Sequence, residues 1–388
     1  MDFSLTEEQQ MFRDLFREFA QNEVAPLADR LDREERPPTE TLAKAAEMEL
    51  LGLPFPPQYG GAGLDTLSYC FLMEELGKVC LSTAATIGFH TAAGCMALYL
   101  GGNEEQKERF LTPAAKGEKI VAFALSEPDS GADMTSVRTT AMGEGDQYIL
   151  AGAKGWVING DMADLFVVFA RTGDGEEPDG LSAFVVEKGL PGLEVGPPLK
   201  TMGVRGLSKG NVYLDECQVP KDCLLGGKEG AALETVRKTF DFSRLSMAAT
   251  CLGVAQSALE AAVEFASTRV QFGAPIAHKG AIQAYVAEMA TEVEALRHFV
   301  YYTAWTVDQG KPYSRLAAMC KLQASEAASR VVNKAVQIHG GSGYVKDYPM
   351  ERVYRDTRIT RIMPGLNELQ KFLIAADIFG EKGLTLSP

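Results

Sequence analysis

The segment FALSEPDSGADMTSVRTT, residues 123–140, joins a short apolar run to residue types that form ligand-binding turns. The run FALS predicts a β-strand, and it leads directly into Pro128, Asp129, Ser130 and Gly131. A turn of this composition exposes backbone N–H groups, which suits the close approach of a planar or anionic ligand. An ordinary hairpin turn has the same composition, so the segment alone leaves both interpretations open.

A tryptophan on a neighbouring strand is the second candidate for ligand contact. The segment GAKGWVINGD, residues 152–161, has the pattern of a strand and carries Trp156. An indole at such a position either flanks an aromatic ligand or packs in the core of the β-domain. The strand pattern does not distinguish these two roles.

Two segments at the ends of predicted helices could bind phosphate groups. STRVQFGAPI, residues 267–276, places Arg269 and Phe272 at the end of a long helix. VQIHGGSGYV, residues 336–345, follows Gln337 with three glycines. Arginine is a charge-assisted donor to phosphate, and glycines allow the backbone to approach a ligand closely. A helix cap with Gly340 or Gly341 in the left-handed conformation is the alternative.

The composition argues against several classes of partner. The 388 residues include 38 Lys and Arg against 52 Asp and Glu, and the net charge of -14 disfavours nucleic acid or an anionic membrane surface. No run approaches the length of a spanning helix, and the N-terminal sequence MDFSLTEEQQMF lacks the pattern of a signal peptide. We therefore expect no integral membrane segment and a cytoplasmic location.

Cysteine and histidine usage indicates no metal site. The seven cysteines are scattered without a C-x-x-C pair, which predicts buried, reduced thiols. Only four histidines are present, and no H-E-x-x-H sequence or Cys/His cluster occurs.

The elements that must position these residues fall into three parts, which predict an α+β fold. Residues 1–117 read as an N-terminal helical domain, 118–225 as a middle antiparallel β-domain, and 226–388 as a C-terminal four-helix bundle. The C-terminal helices are expected at 229–267, 279–309, 313–339 and 365–380. A β-domain between two helical parts favours a cleft at their junction.

In this order and spacing, the segments resemble the acyl-CoA dehydrogenase family. SEPDSGAD, KTMGVRGL, RVQFG and QIHGGSGY carry the resemblance, which extends from LTEEQQMFRDLFREFA to KFLIAADIF. It implies FAD held between subunits of a homotetramer, an acyl-CoA thioester as substrate, and an electron-transfer flavoprotein as electron acceptor.

The resemblance also implies ligand contacts residue by residue. The FAD contacts would be Phe123, Leu125, Ser126, Gly131, Ala132, Trp156, Ile158, Arg269, Gln271, Phe272, Gln337, Gly340, Gly341, Leu366 and Glu368. The substrate contacts would be Ala132, Asp241, Arg244 and Gly365. A helical ion pair is the alternative interpretation of Asp241 and Arg244.

The chain departs from the family pattern at the catalytic base. The family's usual glutamate precedes a glycine, and here that position is Pro364, followed by Gly365. Some relatives carry the glutamate one residue before the arginine of the FDFSR segment, and here that position is Ser243. Ile158 replaces the usual Thr or Ser near the flavin, and Gly280 replaces a usual Gln. We expect Pro364 to begin the last helix.

Several functions remain open at this point. The chain could be a dehydrogenase, α,β- or vinylogous, with another proton acceptor, for which His90 is the first candidate and Asp161 and Glu368 are weaker ones. It could instead be a decarboxylating or desulfinating lyase, which needs no base, or a catalytically impaired subunit that binds FAD and acyl-CoA. Flavin monooxygenase or nitroalkane oxidase chemistry is a further alternative, and the FDFSR segment favours a CoA thioester over it.

Overall fold

The structure, a computed structural model, describes residues 4–173 and 180–380, with the side chain of Thr135 excepted. The helices before the sheet are α1 (Glu7–Phe19), α2 (Ala25–Glu34), α3 (Thr39–Glu47), α4 (Thr66–Val79), α5 (Leu81–Phe89), α6 (Met96–Gly101), α7 (Glu104–Gln106) and α8 (Thr112–Ala115). Those after it are α9 (Ala232–Thr268), α10 (Gly280–Asp308), α11 (Ser314–His339), α12 (Met350–Thr357) and α13 (Asn367–Phe379). The four predicted C-terminal helices are confirmed, and α12 is an addition.

The first helix begins directly after Thr6, which caps it. Thr6 accepts a hydrogen bond from the backbone N–H of Gln9, and the Gln9 side chain accepts one from the backbone N–H of Thr6. This reciprocal capping box satisfies N–H groups that a helix start leaves without partners. The capping box fixes the position at which α1 starts.

The sheet is mostly antiparallel, with two parallel pairings that the sequence interpretation missed. Its strands are β1 (Val121–Ala124), β2 (Thr140–Glu144), β3 (Gln147–Ile158), β4 (Leu165–Arg171), β5 (Leu181–Glu187), β6 (Leu193–Val195) and β7 (Lys209–Pro220). A separate hairpin consists of β8 (Val270–Gln271) and β9 (Ala274–Pro275). β1 runs parallel to β4, because the long segment between them, including the β2–β3 hairpin, provides the crossover that a parallel pair requires.

The central helix α9 packs against α4, α10 and α11. Two glycines permit the closest approach: a Cβ at Gly253 would lie 1.9 Å from the backbone oxygen of Glu74, and one at Gly77 would lie 2.3 Å from that of Thr250. The backbones of α4 and α9 are therefore in contact. This contact sets the positions of the side chains that the two helices direct toward α5.

Two sequence expectations about composition can be compared with this fold. All seven cysteines are free and buried, as predicted. Within residues 4–173 and 180–380, none of the helices combines the length and the apolar character needed to cross a lipid bilayer.

Candidate active site

The turn after β1 is held by a buried carboxylate. Glu127 accepts hydrogen bonds from the backbone N–H groups of Arg138 and Thr139, at 2.8 and 2.9 Å, and from the Thr139 hydroxyl. The Lys154 ammonium, on β3, donates to the same carboxylate at 2.8 Å and to the Leu125 carbonyl at 3.2 Å. These bonds fasten the turn to β3, so the two segments predicted to meet a planar ligand are neighbours.

Trp156 projects from β3 beside this turn. The backbone N–H of Gly155 donates to the Ser126 carbonyl at 2.9 Å, and the β3–β7 register shifts between Lys154 and Val157. Trp156 lies in this bulge with φ 58° and a side chain that is 62% exposed. A positive φ is costly for a tryptophan, and such strain typically marks a functional position.

The other residues assigned to this end of the ligand have mixed surroundings. Gly131 and Ala132 are exposed, Ser126 and Ile158 are half-buried, and Leu125 is buried. The Phe123 ring packs against Phe169 and Phe240, with centroids 4.8 and 5.7 Å away. Phe123 is therefore engaged with core rings on one side, and its ligand contact stays a prediction.

The predicted phosphate-binding residues come together at the far end of the helical bundle. Arg269 ends α9, and Phe272 lies in the β8–β9 hairpin with its ring 93% exposed. Phe265, one turn before Arg269, stacks on His339 at a centroid distance of 4.4 Å, which places the ends of α9 and α11 side by side.

The glycine segment after α11 differs in part from the expected cap. Gly340 ends α11 with φ 58° and ψ -133°, which is a positive φ outside the left-handed helical region. Gln337, Gly340 and Gly341 are all exposed, as is Gln271 in the facing hairpin.

A pocket with an empty volume of about 240 Å³, part of it open to solvent, lies between α4, α5, α9 and the turn before α13. It is lined by Met73, Ala84, Ala85, Gly88, Phe89, Ser243, Ser246, Met247, Thr250 and Pro364. Both positions at which the family carries its base, Pro364 and Ser243, therefore face the same pocket. Among its lining residues, which all belong to the described chain, there is no carboxylate, imidazole or ammonium group.

The hydroxyl groups in this pocket are engaged with the protein. Ser243 donates to the Ala92 carbonyl at 2.6 Å, and Thr250 donates to the Ser246 carbonyl at 3.0 Å. The Ser246 hydroxyl is paired with that of Tyr69 at 2.8 Å. Burial raises the pKa of Tyr69 well above its ordinary value. These groups are weak bases, and they give the wall polarity without a proton acceptor.

Pro364 lies in a turn, not at the start of a helix. The last helix begins at Asn367, three residues later, with Leu366 as its N-cap. Gly365 between them has φ 76°, which interrupts the backbone before the helix can start. The expectation that Pro364 occupies the first helical position is wrong for this reason. Leu366 and Glu368 are both exposed beside the turn.

His90 is placed away from this pocket. Its Nδ1 accepts a hydrogen bond from the backbone N–H of Val121 at 3.1 Å, and its Nε2 lies 3.1 Å from the Ala114 carbonyl. The ring is fully buried, and burial lowers its pKa to about 4. His90 thus satisfies backbone groups at the edge of β1, which is a structural role, and the geometry gives no support to its candidacy as a base.

The two weaker candidates for the base do not line the pocket either. Asp161 follows β3, and its Oδ1 is buried without a hydrogen-bond partner among the described residues. Desolvation raises the pKa of the Asp161 carboxyl. Glu368 is exposed on the first turn of α13.

Asp241 and Arg244 form the helical ion pair that was the alternative to ligand contact. The carboxylate and guanidinium are both buried and 2.6 Å apart, and the Ser314 hydroxyl donates to the other carboxylate oxygen. Burial raises the pKa of the Asp241 carboxyl. The Arg244 Nε is buried and has no hydrogen-bond partner among the described residues.

Three buried charged residues near these sites were not predicted. Glu127 and Lys154 hold the turn after β1, and Lys321 on α11 donates to the Gly365 carbonyl at 2.7 Å, directly after Pro364. The available signal was a lysine among small residues in LAAMCKLQASEAAS, and another in the strand GAKGWVI. A charged residue in an apolar run is almost never fully buried unless it is paired.

Comparison with protein families gives matches along most of the chain. The acyl-CoA dehydrogenase N-terminal domain matches residues 6–118, the middle domain 122–217 and the C-terminal domain 232–379. Among individual proteins, the chain is 42% identical over 380 residues to an acryloyl-CoA reductase (NADH) of Anaerotignum propionicum, covering 97% of this chain and 96% of that protein. It is 41% identical over 379 residues to a short-chain specific acyl-CoA dehydrogenase of Clostridium acetobutylicum, covering 98% and 100%.

Solved structures share the same fold over nearly the whole chain. Butyryl-CoA dehydrogenase from Megasphaera elsdenii superimposes with a TM-score of 0.95 at 36% identity, covering 98% of this chain and 100% of that one. A chain from the structural study of the electron transferring flavoprotein of Acidaminococcus fermentans gives a TM-score of 0.96 at 41% identity, covering 98% and 100%. PigA, solved with FAD and proline, gives 0.94 at 29% identity, covering 99% and 100%.

Proposed function

This chain belongs to the acyl-CoA dehydrogenase family, and we propose that it is an FAD-dependent oxidoreductase of short acyl-CoA thioesters whose α-proton is accepted by solvent. The oxidoreductase activity on acyl-CoA rests on the family and on relatives named for that chemistry. The proposal that solvent is the proton acceptor rests on one observation: Pro364 and Ser243 both line a pocket without an acidic or basic side chain.

The residues around Trp156 fit the ring of FAD. An exposed indole in a strained backbone conformation, beside a turn fastened by Glu127 and Lys154, offers an aromatic face next to backbone N–H groups. Arg269 and the glycines after α11 are exposed together at the far end, where a phosphate could approach them. When bound, FAD supplies the acceptor for the two electrons removed from the CH–CH bond.

The pocket would hold the acyl chain. Its lining is apolar apart from hydroxyl groups that are already paired, which suits a hydrocarbon chain. A short chain is proposed because a relative that is 41% identical is named as a short-chain specific acyl-CoA dehydrogenase. Asp241 and Arg244 are proposed to contact the CoA portion, as the resemblance to the family implies, although in this structure they form a buried ion pair.

Proton transfer to solvent follows from the character of the pocket wall. Proline has neither a proton-accepting side chain nor a backbone N–H, and the Ser243 hydroxyl already donates to Ala92. With no side chain available, water or hydroxide entering the cleft is the remaining acceptor for the α-proton. The protein's own residues then orient the thioester and exclude bulk solvent from the rest of the chain.

The same wall argues against the lyase alternative. A decarboxylating or desulfinating reaction needs an anionic group at the end of the acyl chain, and a buried anion requires a paired cation. No cation lines the pocket in the described part of the chain. A catalytically impaired subunit is the second candidate, because it also accounts for a binding site without a base.

The assembly and the partners are proposed on the same grounds. A homotetramer would complete the FAD site by bringing the exposed residues after α9 and α11 of one copy to the turn after β1 of another. An electron-transfer flavoprotein is the proposed acceptor, supported by the similarity to a chain from the Acidaminococcus fermentans study. The domains would span residues 1–117, 118–225 and 226–388.

The pH dependence of flavin reduction tests the proposed acceptor. The FAD-loaded protein is mixed anaerobically with butyryl-CoA, and the loss of visible flavin absorbance is followed over a range of pH. With hydroxide as acceptor, the rate rises about tenfold for each pH unit and shows no plateau near the ordinary pKa of a carboxylate. A rate that is constant above about pH 6 would refute it.

The same experiment separates the impaired subunit from the enzyme. A protein that binds acyl-CoA thioesters of several chain lengths, yet leaves the flavin oxidised at every pH, would be the impaired subunit. Release of CO₂ or sulfite without flavin reduction would identify the lyase.

A further inference from the structure

Lys321 is a fully buried lysine that supports the turn at Pro364 from behind. It lies on α11, and none of its surface is exposed. Its ammonium donates to the Gly365 carbonyl at 2.7 Å and to the Asn367 Oδ1 at 2.8 Å. Asn367 in turn donates to Ser325 and Glu326, both at 2.9 Å, so that the turn is tied to α11.

The ammonium has no carboxylate in direct contact among the described residues. Both of its acceptors are neutral oxygens, and no salt bridge involves this lysine. Glu326 lies on the same helix but is paired with Arg361 at 2.8 Å. A buried positive charge is thus held by dipoles rather than by an opposite charge, which is uncommon.

Other charged and titratable groups face Lys321 at longer range. From α9 these are Cys251 and Arg244, and from the first turn of α13 it is Glu368. Burial keeps the Cys251 thiol neutral by raising its pKa to about 12. Desolvation is the largest influence on Lys321 and lowers its pKa to about 8, so the side chain is mostly charged at neutral pH.

The charge lies next to the pocket. Gly365, whose carbonyl accepts from Lys321, directly follows the pocket residue Pro364. On the other side, Cys251 directly follows the pocket residue Thr250. A Cβ at Gly365 would lie 2.9 Å from the Gln370 amide nitrogen, so the turn fits closely around this arrangement.

We propose that Lys321 is a positioning residue for the thioester: it fixes the Pro364 turn and provides the positive charge that favours the enolate form of the ligand in the pocket. This inference rests on the proposed function. An ammonium in a dry interior acts on a nearby anion more strongly than it would in water. The charge has particular value here, because Pro364 contributes no N–H group to an oxyanion.

Acetoacetyl-CoA provides a direct measurement, because its enolisation requires no turnover. One acidic C–H bond breaks, its electron pair stays in the enolate, and the proton goes to solvent. The near-ultraviolet absorbance of the enolate, titrated against pH in the FAD-loaded protein, gives the apparent pKa of the bound probe. Retention of the flavin and its visible spectrum report the integrity of the site in every variant.

Lys321→Gln removes the charge while keeping a hydrogen-bond donor. We expect the apparent pKa of bound acetoacetyl-CoA to rise, because the neutral side chain no longer favours the anion. For scale, removing a unit charge at a separation of about 10 Å and an effective dielectric constant of about 20 shifts a pKa by roughly one unit. Lys321→Arg should restore the wild-type pKa, although its larger head alters the affinity. Lys334→Gln, which removes a charge from the outer side of the same helix, should leave the pKa unchanged.

The outcomes distinguish this inference from the proposed function. Equal apparent pKa values in wild type and Lys321→Gln would overturn the role of Lys321 even if the enzyme turns over. Failure of the wild type to bind acetoacetyl-CoA at all would instead remove the proposed function, and this inference with it.

A wild-type measurement covers the case in which the neutral variant does not fold. Enolate affinity should increase with pH and then decline once Lys321 itself loses its proton above about pH 8. An affinity that continues to increase to pH 10 would also overturn the inference.

Discussion

If the proposed function is correct, replacing Pro364 with glutamate should place a general base in the pocket. Pro364 is buried in the wall of the pocket that Ser243 also lines. The next residue, Gly365, has a φ of 76°, so the chain already turns at this point. A glutamate there would point a carboxylate into the pocket and would also return a backbone N–H to the turn. Pro364→Gln is the matched control, since it restores the N–H and the side-chain size without the proton acceptor.

The expected increase in the rate of flavin reduction is large compared with the expected loss of fold stability. A positioned general base contributes about 10²- to 10⁴-fold to the rate, which corresponds to about 3–5 kcal/mol in the barrier. Loss of the proline gives the unfolded chain more freedom and therefore lowers the free energy of unfolding. Burial would raise the pKa of the new carboxyl, whereas the Lys321 ammonium behind the turn would lower it, so the group should be ionised near neutral pH.

Single-turnover kinetics measure this gain directly. Each variant, loaded with FAD, is mixed anaerobically with butyryl-CoA, and the rate of flavin reduction is recorded against pH. Pro364→Glu should reduce the flavin at least about 100 times faster than Pro364→Gln below neutral pH, with a plateau where the wild type still depends on hydroxide. Equal rates in the two variants, with butyryl-CoA bound in both, would refute a base-deficient pocket.

Three further outcomes are expected. Ser243→Glu should also accelerate flavin reduction relative to Ser243→Gln. Both variants lose the hydrogen bond to Ala92, which contributes about 1 kcal/mol, so this loss cancels in the comparison. His90→Gln should leave the pH profile of turnover unchanged. In the wild type, the free energy of unfolding should fall by roughly 3 kcal/mol between pH 6.5 and 4, because His90 binds a proton in the unfolded chain but stays neutral in the folded protein, where its pKa is about 4. His90→Gln should not show this decrease. Urea unfolding at several pH values measures the difference. Lys154→Met leaves the Glu127 carboxylate buried without its cation and should lower the free energy of unfolding by about 3 kcal/mol, as measured by urea unfolding. It should also weaken FAD retention, as measured by flavin release on dilution. Unchanged retention would show that the ion pair does not support the flavin site.

The helices were predictable because their patterns are long. The bounds of α9 and α11 differ from the expected ones by at most three residues, since each is a sustained run of small apolar residues that ends at Arg269 or Gly340. The β1–β4 parallel pairing could not be read in this way. A short apolar run such as Val121–Ala124 fits either direction, and only the placement of the crossover decides it.

The site was predictable only where a motif carries it. The segments around Trp156 and after α11 are predicted from their residue types to bind a ligand, and this stays a prediction. The structure places Trp156 beside the turn after β1 through the bonds between that turn and β3. Lys321 was missed, because nothing in a linear pattern says that a lysine on α11 turns inward to a carbonyl 44 residues later. The sequence suggested His90 as a candidate base for the same reason, because a linear pattern does not show its partners. Its two ring nitrogens pair with the backbone N–H of Val121 and the carbonyl of Ala114, which are distant in sequence.

The support of the turn and its chemistry depend on different residues. Lys321 and Asn367 hold the turn through the Gly365 carbonyl and a side-chain amide, and neither of these groups belongs to residue 364. Under the proposed function, the wall of the pocket at position 364 lacks a proton acceptor, while the ammonium behind the turn keeps its own hydrogen bonds. The acceptor and the support of the turn can then be tested separately, the first by substitution of Pro364 and the second by substitution of Lys321.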